Sequence, residues 1–361
     1  MTIRERKTWD GGGNDPKRTA MMNERDDGLD GARGIAAMAV VLSHVAAMTW
    51  VPFVDGAGNG STLERALWHL GAPAVDLFLV LSGYVVARSL LRRPVEYFPY
   101  LLGRLVRLLP VAWIAIGLGL ALRSAGLHAP SGTSSGLLEL ASPLTSADVI
   151  GLMTLVAPVP NVDVISPPLW TLVLEMQAAY AMPLLAYVSR RAGAFVLLAV
   201  GIPLLFIASF MINLGYPLVF TGFLVGAAFA GAEARIPKLK RAAPLMVASL
   251  VILLSRHILK TDDVLMRIVC ALGAGGVVMA IRNGSGAAVL RSPLAQRLGS
   301  ISYPLYAVHW PIMAAAVMTL GWKTGPTIAA IVSIPLSLMV AVLIEQIVDR
   351  RAVTLSRLIR R

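Results

Sequence analysis

Cysteine is almost absent from this 361-residue chain: Cys270 stands alone, inside an apolar run. One thiol excludes an intramolecular disulfide framework and a thiolate metal cluster, and the surrounding residues make it a small apolar packing residue. Charge is scarce too. Asp, Glu, Lys and Arg make up 14% of the residues against 57% hydrophobic ones, and the mean hydropathy is +0.72. That balance excludes a soluble globule and suits a chain for which lipid is the main solvent. Metal-ligand spacings are missing as well. There is no His-x-x-x-His, no Glu-x-x-His and no cysteine pair, so no metal site is expected. No internal repeat and no second soluble domain is evident.

What the chain does have is long apolar runs. Ten stretches approach the length of about 20 residues that a bilayer requires: near 34–53, 70–91, 106–124, 167–188, 194–213, 216–233, 243–260, 264–281, 298–320 and 325–348. The apolar stretch 147–157 is too short to span and reads as interfacial or re-entrant. Residues 1–28 are polar, hold no signal-peptide apolar region, and read as a disordered cytoplasmic tail. Residues 29–350 read as the transmembrane domain, and 351–361 as a basic cytoplasmic tail. The expected fold is therefore all-α, a polytopic membrane bundle of about ten helices.

A net charge of +12 first suggests nucleic acid. The positions of the positive residues reject that. With both termini cytoplasmic, 26 of the 32 Lys and Arg fall in inside segments and five in outside ones. This asymmetry is the topology signal of membrane proteins, with the cations beside anionic lipid. The expected location is the plasma (inner) membrane of a bacterium.

Four spans carry polar groups at depth, where such groups mark function by default. His44 lies on the first span, Asp76 on the second, Glu175 on the fourth and His309 on the ninth. Each histidine is roughly 16 Å in from the cytoplasmic side, and each carboxylate roughly 9–12 Å in from the outside. In a core about 30 Å thick the four can meet in one cavity. Two imidazoles and two carboxylates are the material of general acid–base chemistry. At the cytoplasmic edge, Arg104 and Arg107 share a helix face at i, i+3. With Arg33 they form a candidate phosphate clamp, for which the guanidinium fork is suited. About three helical turns separate Arg33 from His44, close to the length of a pantetheine arm. A proton-coupled transporter, built on buried acid and histidine pairs, is the alternative reading.

Five ordered segments, Leu29–His44, Val75–Tyr84, Arg104–Pro110, Trp170–Gln177 and Gly299–Pro311, resemble the membrane-bound acyltransferase-3 family. The resemblance covers roughly residues 27–350. It implies transfer of an acyl group, often acetyl, from acyl-coenzyme A to a hydroxyl of a sugar, glycolipid or surface polysaccharide. Acyl-coenzyme A is then a co-substrate, with no permanently bound cofactor. Carried over by residue, His44 matches the essential histidine, Arg33, Arg104 and Arg107 the basic motifs, and Glu175 the glutamate of its motif. Asp76 is a further catalytic candidate, while Trp170, Tyr306 and His309 are expected at the substrate. The chain departs from the pattern at Gly103, where an arginine is frequent, at Thr171, where serine is usual, and at Met176, where a second glutamate is frequent. His44 is expected to act as general base, oriented by Glu175 or Asp76. Direct transfer and a transient acyl-His44 both remain open.

Overall fold

The computed structural model describes residues 26–51, 60–93, 95–134, 137, 144–155, 165–211, 219–236, 238–259 and 264–360. Of the tail expected at 1–28, residues 1–25 lie outside them, while Asp27 and Gly28 already belong to the first helix. All regular structure in the described residues is helical. The helices are α1 (Asp27–Ala47), α2 (Thr62–Trp68), α3 (Gly71–Arg92), α4 (Tyr97–Ser124), α5 (Ser146–Thr154), α6 (Leu169–Arg191), α7 (Ala194–Met211) and α8 (Thr221–Ala232). They continue with α9 (Ala243–Leu253), α10 (Ser255–Leu259), α11 (Val264–Arg282), α12 (Ala287–Leu290), α13 (Pro293–Thr324), α14 (Pro326–Ile344) and α15 (Arg350–Ile359). A π-helical turn, Glu345–Asp349, joins the last two.

Seven of these stretches are long and apolar enough to cross a membrane, and the apolar parts of α7, α8 and α9 are shorter. The chain is an all-α polytopic membrane bundle. Each of the ten expected spans overlaps helix among the described residues, with 243–260 divided between α9 and α10. The three short ones explain why length alone does not settle the count: the 12 residues of α8 rise only about 18 Å against a hydrocarbon core of about 30 Å. The stretch expected to be interfacial forms the nine-residue α5. The basic segment 351–361 is helical as far as Ile359.

Local chemistry fixes several helix ends. Asp27 and Asp30 sit in the first turn of α1, where the helix dipole favours negative charge. Ser61 and Glu64 close a capping box on α2. Ser292 caps α13, followed by Pro293, whose missing N–H costs nothing there. Pro110, Pro304 and Pro311 lie inside α4 and α13, which membrane helices tolerate because neighbours satisfy the freed carbonyls.

The interior comprises three apolar clusters, and α1 contributes to all of them: Leu29 and Ala32 to one, Ala36 and Val40 to a second, Ala37, Val41 and Val45 to the third. That places α1 at the centre. Large apolar side chains on α7, α9 and α14, among them Phe195 at 83% exposure, Val247 and Met339, face outward. An exposed apolar surface of that extent suits lipid, not water.

Without a hydrophobic drive between helices in lipid, close backbone packing holds the bundle. Gly222 and Gly226 on α8, spaced as in Gly-x-x-x-Gly, lie against α3, Gly222 at Leu79 and Gly226 at Val80 and Gly83. A Cβ at Gly226 would lie 2.3 Å from the Val80 carbonyl oxygen, and one at Gly83 would lie 2.5 Å from that of Phe223. Gly226→Ala is therefore expected to destabilise the protein by about 1–3 kcal/mol. Gly117→Ala, with nothing within 4 Å of the new methyl, should be neutral or stabilising by up to about 1 kcal/mol. Melting temperatures in detergent check both, and equal values for the two variants would refute the packing account.

Candidate active site

Helices α1 and α13 run parallel, side by side. Gly34 and Gly299 let their backbones touch: a Cβ on Gly34 would fall 2.3 Å from the Gly299 nitrogen, and one on Gly299 would fall 2.4 Å from the Asp30 oxygen. Ten residues further along each helix stand His44 and His309. Equal spacing from a shared contact point brings the two rings level. Their centroids are 5.0 Å apart with planes at 15°, and His44 Nδ1 lies 2.7 Å from His309 Nε2. His309 is fully buried and His44 half-buried. The Trp310 ring stands edge-on to His44 at 5.1 Å.

The hydrogen bonds select the tautomers. His309 Nδ1 is 3.0 Å from the Leu305 carbonyl oxygen, which only accepts, so the proton sits on Nδ1. With both rings neutral, His309 Nε2 is then an acceptor and His44 Nδ1–H donates to it. The lone pair of His44 remains on Nε2. A base whose second nitrogen is held by a fixed partner is oriented for proton transfer.

The expected carboxylate partners of His44 are engaged elsewhere. Glu175 accepts from Arg104 at 2.6 Å and from the Ser82 hydroxyl at 3.0 Å. Asp76 faces Arg256 at 3.4 Å, with Arg256 buried. The group within hydrogen-bond distance of the His44 ring is His309, so the expected meeting of two imidazoles and two carboxylates becomes an imidazole pair plus separate ion pairs. A buried carboxylate gains most from a guanidinium, which stays charged.

At the arginine-rich end of the bundle a cavity of about 1420 Å³ opens. Ten arginines and five acidic residues line it, giving it strong positive character. Arg33, Arg104 and Arg107 all belong to it, as does Glu175. Three ion pairs position these arginines: Arg33 with Asp30 at 3.0 Å, Arg104 with Glu175, and Arg107 with Asp349 at 2.7 Å. Tyr303 adds a ring beneath Arg107, 5.6 Å from its guanidinium, and donates its hydroxyl to the Leu108 carbonyl. Sequence reasoning missed Tyr303, Ser82 and Asp349, since nothing local marks them.

Phe78, Thr171 and Tyr306 belong to the cavity lining, and His44 and His309 do not. The Tyr306 and Thr171 hydroxyls are 2.8 Å apart. The Tyr306 ring touches Phe78 at 5.5 Å and His309 at 6.1 Å. One aromatic layer thus separates the arginine-lined cavity from the histidine pair. Trp170, expected at the substrate, packs between two apolar clusters instead of lining the cavity. A Gly-x-Ser-x-Gly string at Gly132–Gly136 has the spacing of a serine hydrolase nucleophile. Its Ser134 is buried and donates to the Ala47 carbonyl at 2.5 Å, closing the end of α1.

Comparison with known families matches the chain to the acyltransferase-3 family, described as an acyltransferase domain, over residues 26–346. No curated protein and no solved structure matches it. The match covers most of the chain, and the chain belongs to the membrane-bound acyltransferase-3 family.

The tautomer assignment is directly measurable. Nitrogen-15 NMR of histidine-labelled protein at neutral pH is expected to show both His44 and His309 protonated on Nδ1. A proton on His44 Nε2 would overturn the assignment. In His309→Ala the His44 signal is expected to change to a mixture of tautomers, because the ring loses its acceptor.

Proposed function

We propose that this member of the acyltransferase-3 family moves an acyl group, most simply acetyl, from acyl-coenzyme A to a hydroxyl of a sugar, glycolipid or surface polysaccharide, with His44 as general base. The observation that carries the reading is the arginine-lined cavity lying one aromatic layer away from an oriented histidine pair. Acyl-coenzyme A brings phosphates on a nucleotide and a thioester at the end of a flexible arm. Arg33, Arg104 and Arg107 match the first. The arm has to pass Phe78 and Tyr306 to bring the thioester to His44.

In the direct route, His44 Nε2 takes the acceptor hydroxyl proton as that oxygen attacks the thioester carbonyl. The carbon–sulfur bond then breaks and the coenzyme A thiolate leaves, recovering the proton from His44. His309 keeps the proton of His44 on Nδ1 throughout. In the covalent route, His44 Nε2 itself attacks the carbonyl, the carbon–sulfur bond breaks and the coenzyme A thiolate leaves. The acceptor oxygen then attacks the acyl carbon, the bond to Nε2 breaks, and the hydroxyl proton passes to the thiolate. Both routes need the same lone pair. Glu175 serves by holding Arg104 against the cavity. The charge bias of the sequence supports ten spans, both termini on the cytoplasmic side, and loading of the donor from the cytoplasm of a bacterial cell.

Two measurements test the reading. Acyl-coenzyme A turnover by the purified protein in detergent, with a glycan acceptor, should fall by about 10²–10⁴-fold in His44→Ala. Mass spectra of surface glycans and glycolipids should lose an acyl increment in cells carrying that variant at matched membrane levels. Turnover and spectra unchanged by His44→Ala would sink the assignment, and a solute phenotype on deleting the whole chain would then favour transport.

A further inference from the structure

Gly103 lies within α4, beside Arg104, in ordinary helical conformation. No turn requires glycine there, and glycine inside a helix costs about 1 kcal/mol relative to alanine. What occupies the space of the missing side chain is Arg360, just past the end of α15. A Cβ at Gly103 would lie 2.9 Å from Arg360 Cγ, 3.0 Å from Cδ and 3.2 Å from Nε. Gly103 is a slot for the stem of Arg360.

Helix α15 reaches α4 because of the turn before it. The π turn Glu345–Asp349 adds a residue to the helical repeat, and Asp349 ties its end to Arg107 at 2.7 Å. Arg360 Nε donates to the Ser356 carbonyl at 3.1 Å, which fixes the plane of the guanidinium. Arg360 lines the same cavity as Arg104 and Arg107. It differs from them in one respect. Arg33, Arg104 and Arg107 each have a carboxylate partner, whereas no carboxylate among the described residues pairs with Arg360. A half-buried guanidinium of fixed orientation, beside other arginines and without a counter-charge, is a site for an anion.

We propose that Arg360, seated in the slot left by Gly103, is a further donor-binding residue that takes a phosphate of the acyl-coenzyme A. The proposal rests on the donor-binding reading of the cavity given above. Arg360 lies outside the span 26–346 that matches the family, so this contact comes from the C-terminal helix of this chain. A lipid headgroup phosphate offers the same chemistry, and the test separates the two sources.

The test is titration calorimetry of coenzyme A on the full-length protein, in neutral detergent and in nanodiscs with or without phosphatidylglycerol. Arg360→Met keeps the stem in its slot and removes the charge. It is expected to weaken coenzyme A binding about tenfold, as for a lost charge-assisted hydrogen bond, equally in all three environments. Arg360→Ala should lose as much, and adding Gly103→Arg to it should restore most of the affinity by supplying a guanidinium from the other side of the slot. Wild-type affinity in Arg360→Met overturns the proposal while leaving the donor reading intact. A loss confined to phosphatidylglycerol discs also overturns it and assigns Arg360 to lipid. Failure of the wild-type protein to bind coenzyme A overturns the donor reading, and this proposal with it.

Discussion

Where α1 and α13 cross at Gly34 and Gly299, their backbones approach so closely that neither position has room for a methyl group. In lipid such contact is held by van der Waals packing, which rewards small residues and close approach. The contact sets register as well as distance. From it the two helices run parallel, and the rings of His44 and His309 meet ten residues on. A slip of one residue along either helix would rotate a histidine by roughly 100° about its axis and end the hydrogen bond. The pairing of the candidate base with the buried His309 is therefore a consequence of helix packing.

The charged groups follow a separate rule. An isolated ion is costly to bury, so carboxylates in this bundle take guanidinium partners. Glu175 goes to Arg104, Asp76 to Arg256 and Asp349 to Arg107. The Glu175–Arg104 and Asp349–Arg107 pairs hold arginines in place around the cavity without cancelling its charge, because arginines outnumber acids there. What results is a positively charged basin with a rigid lining, suited to phosphate groups. The histidine pair stays apart from it, behind Phe78 and Tyr306. Thr171 has a part in that aromatic layer: its hydroxyl meets that of Tyr306.

Much of the architecture is local in origin and could be read along the chain. Apolar runs mark the helices because the cost of an unsatisfied backbone in lipid leaves few other structures. His44, Glu175 and the arginines of α1 and α4 stand out because polar groups are scarce around them. The spacing of Arg104 and Arg107 places them on one face by helix geometry alone, and the cavity does contain both.

Partnership was not legible in the same way. Periodicity says which face of a helix a residue occupies, but not what the neighbouring helix presents to that face. Four polar groups at similar depth allow several pairings, and only the rotation of each helix about its axis chooses among them. That choice joined His44 to His309 and sent Glu175 to Arg104. It also brought Arg360 over Gly103, two positions far apart in the chain. Composition and hydrophobic length determined that this is a helical membrane protein with a few costly polar groups. The close packing of helices across the bundle decided which of those groups meet, because contact between distant segments depends on their relative rotation and register.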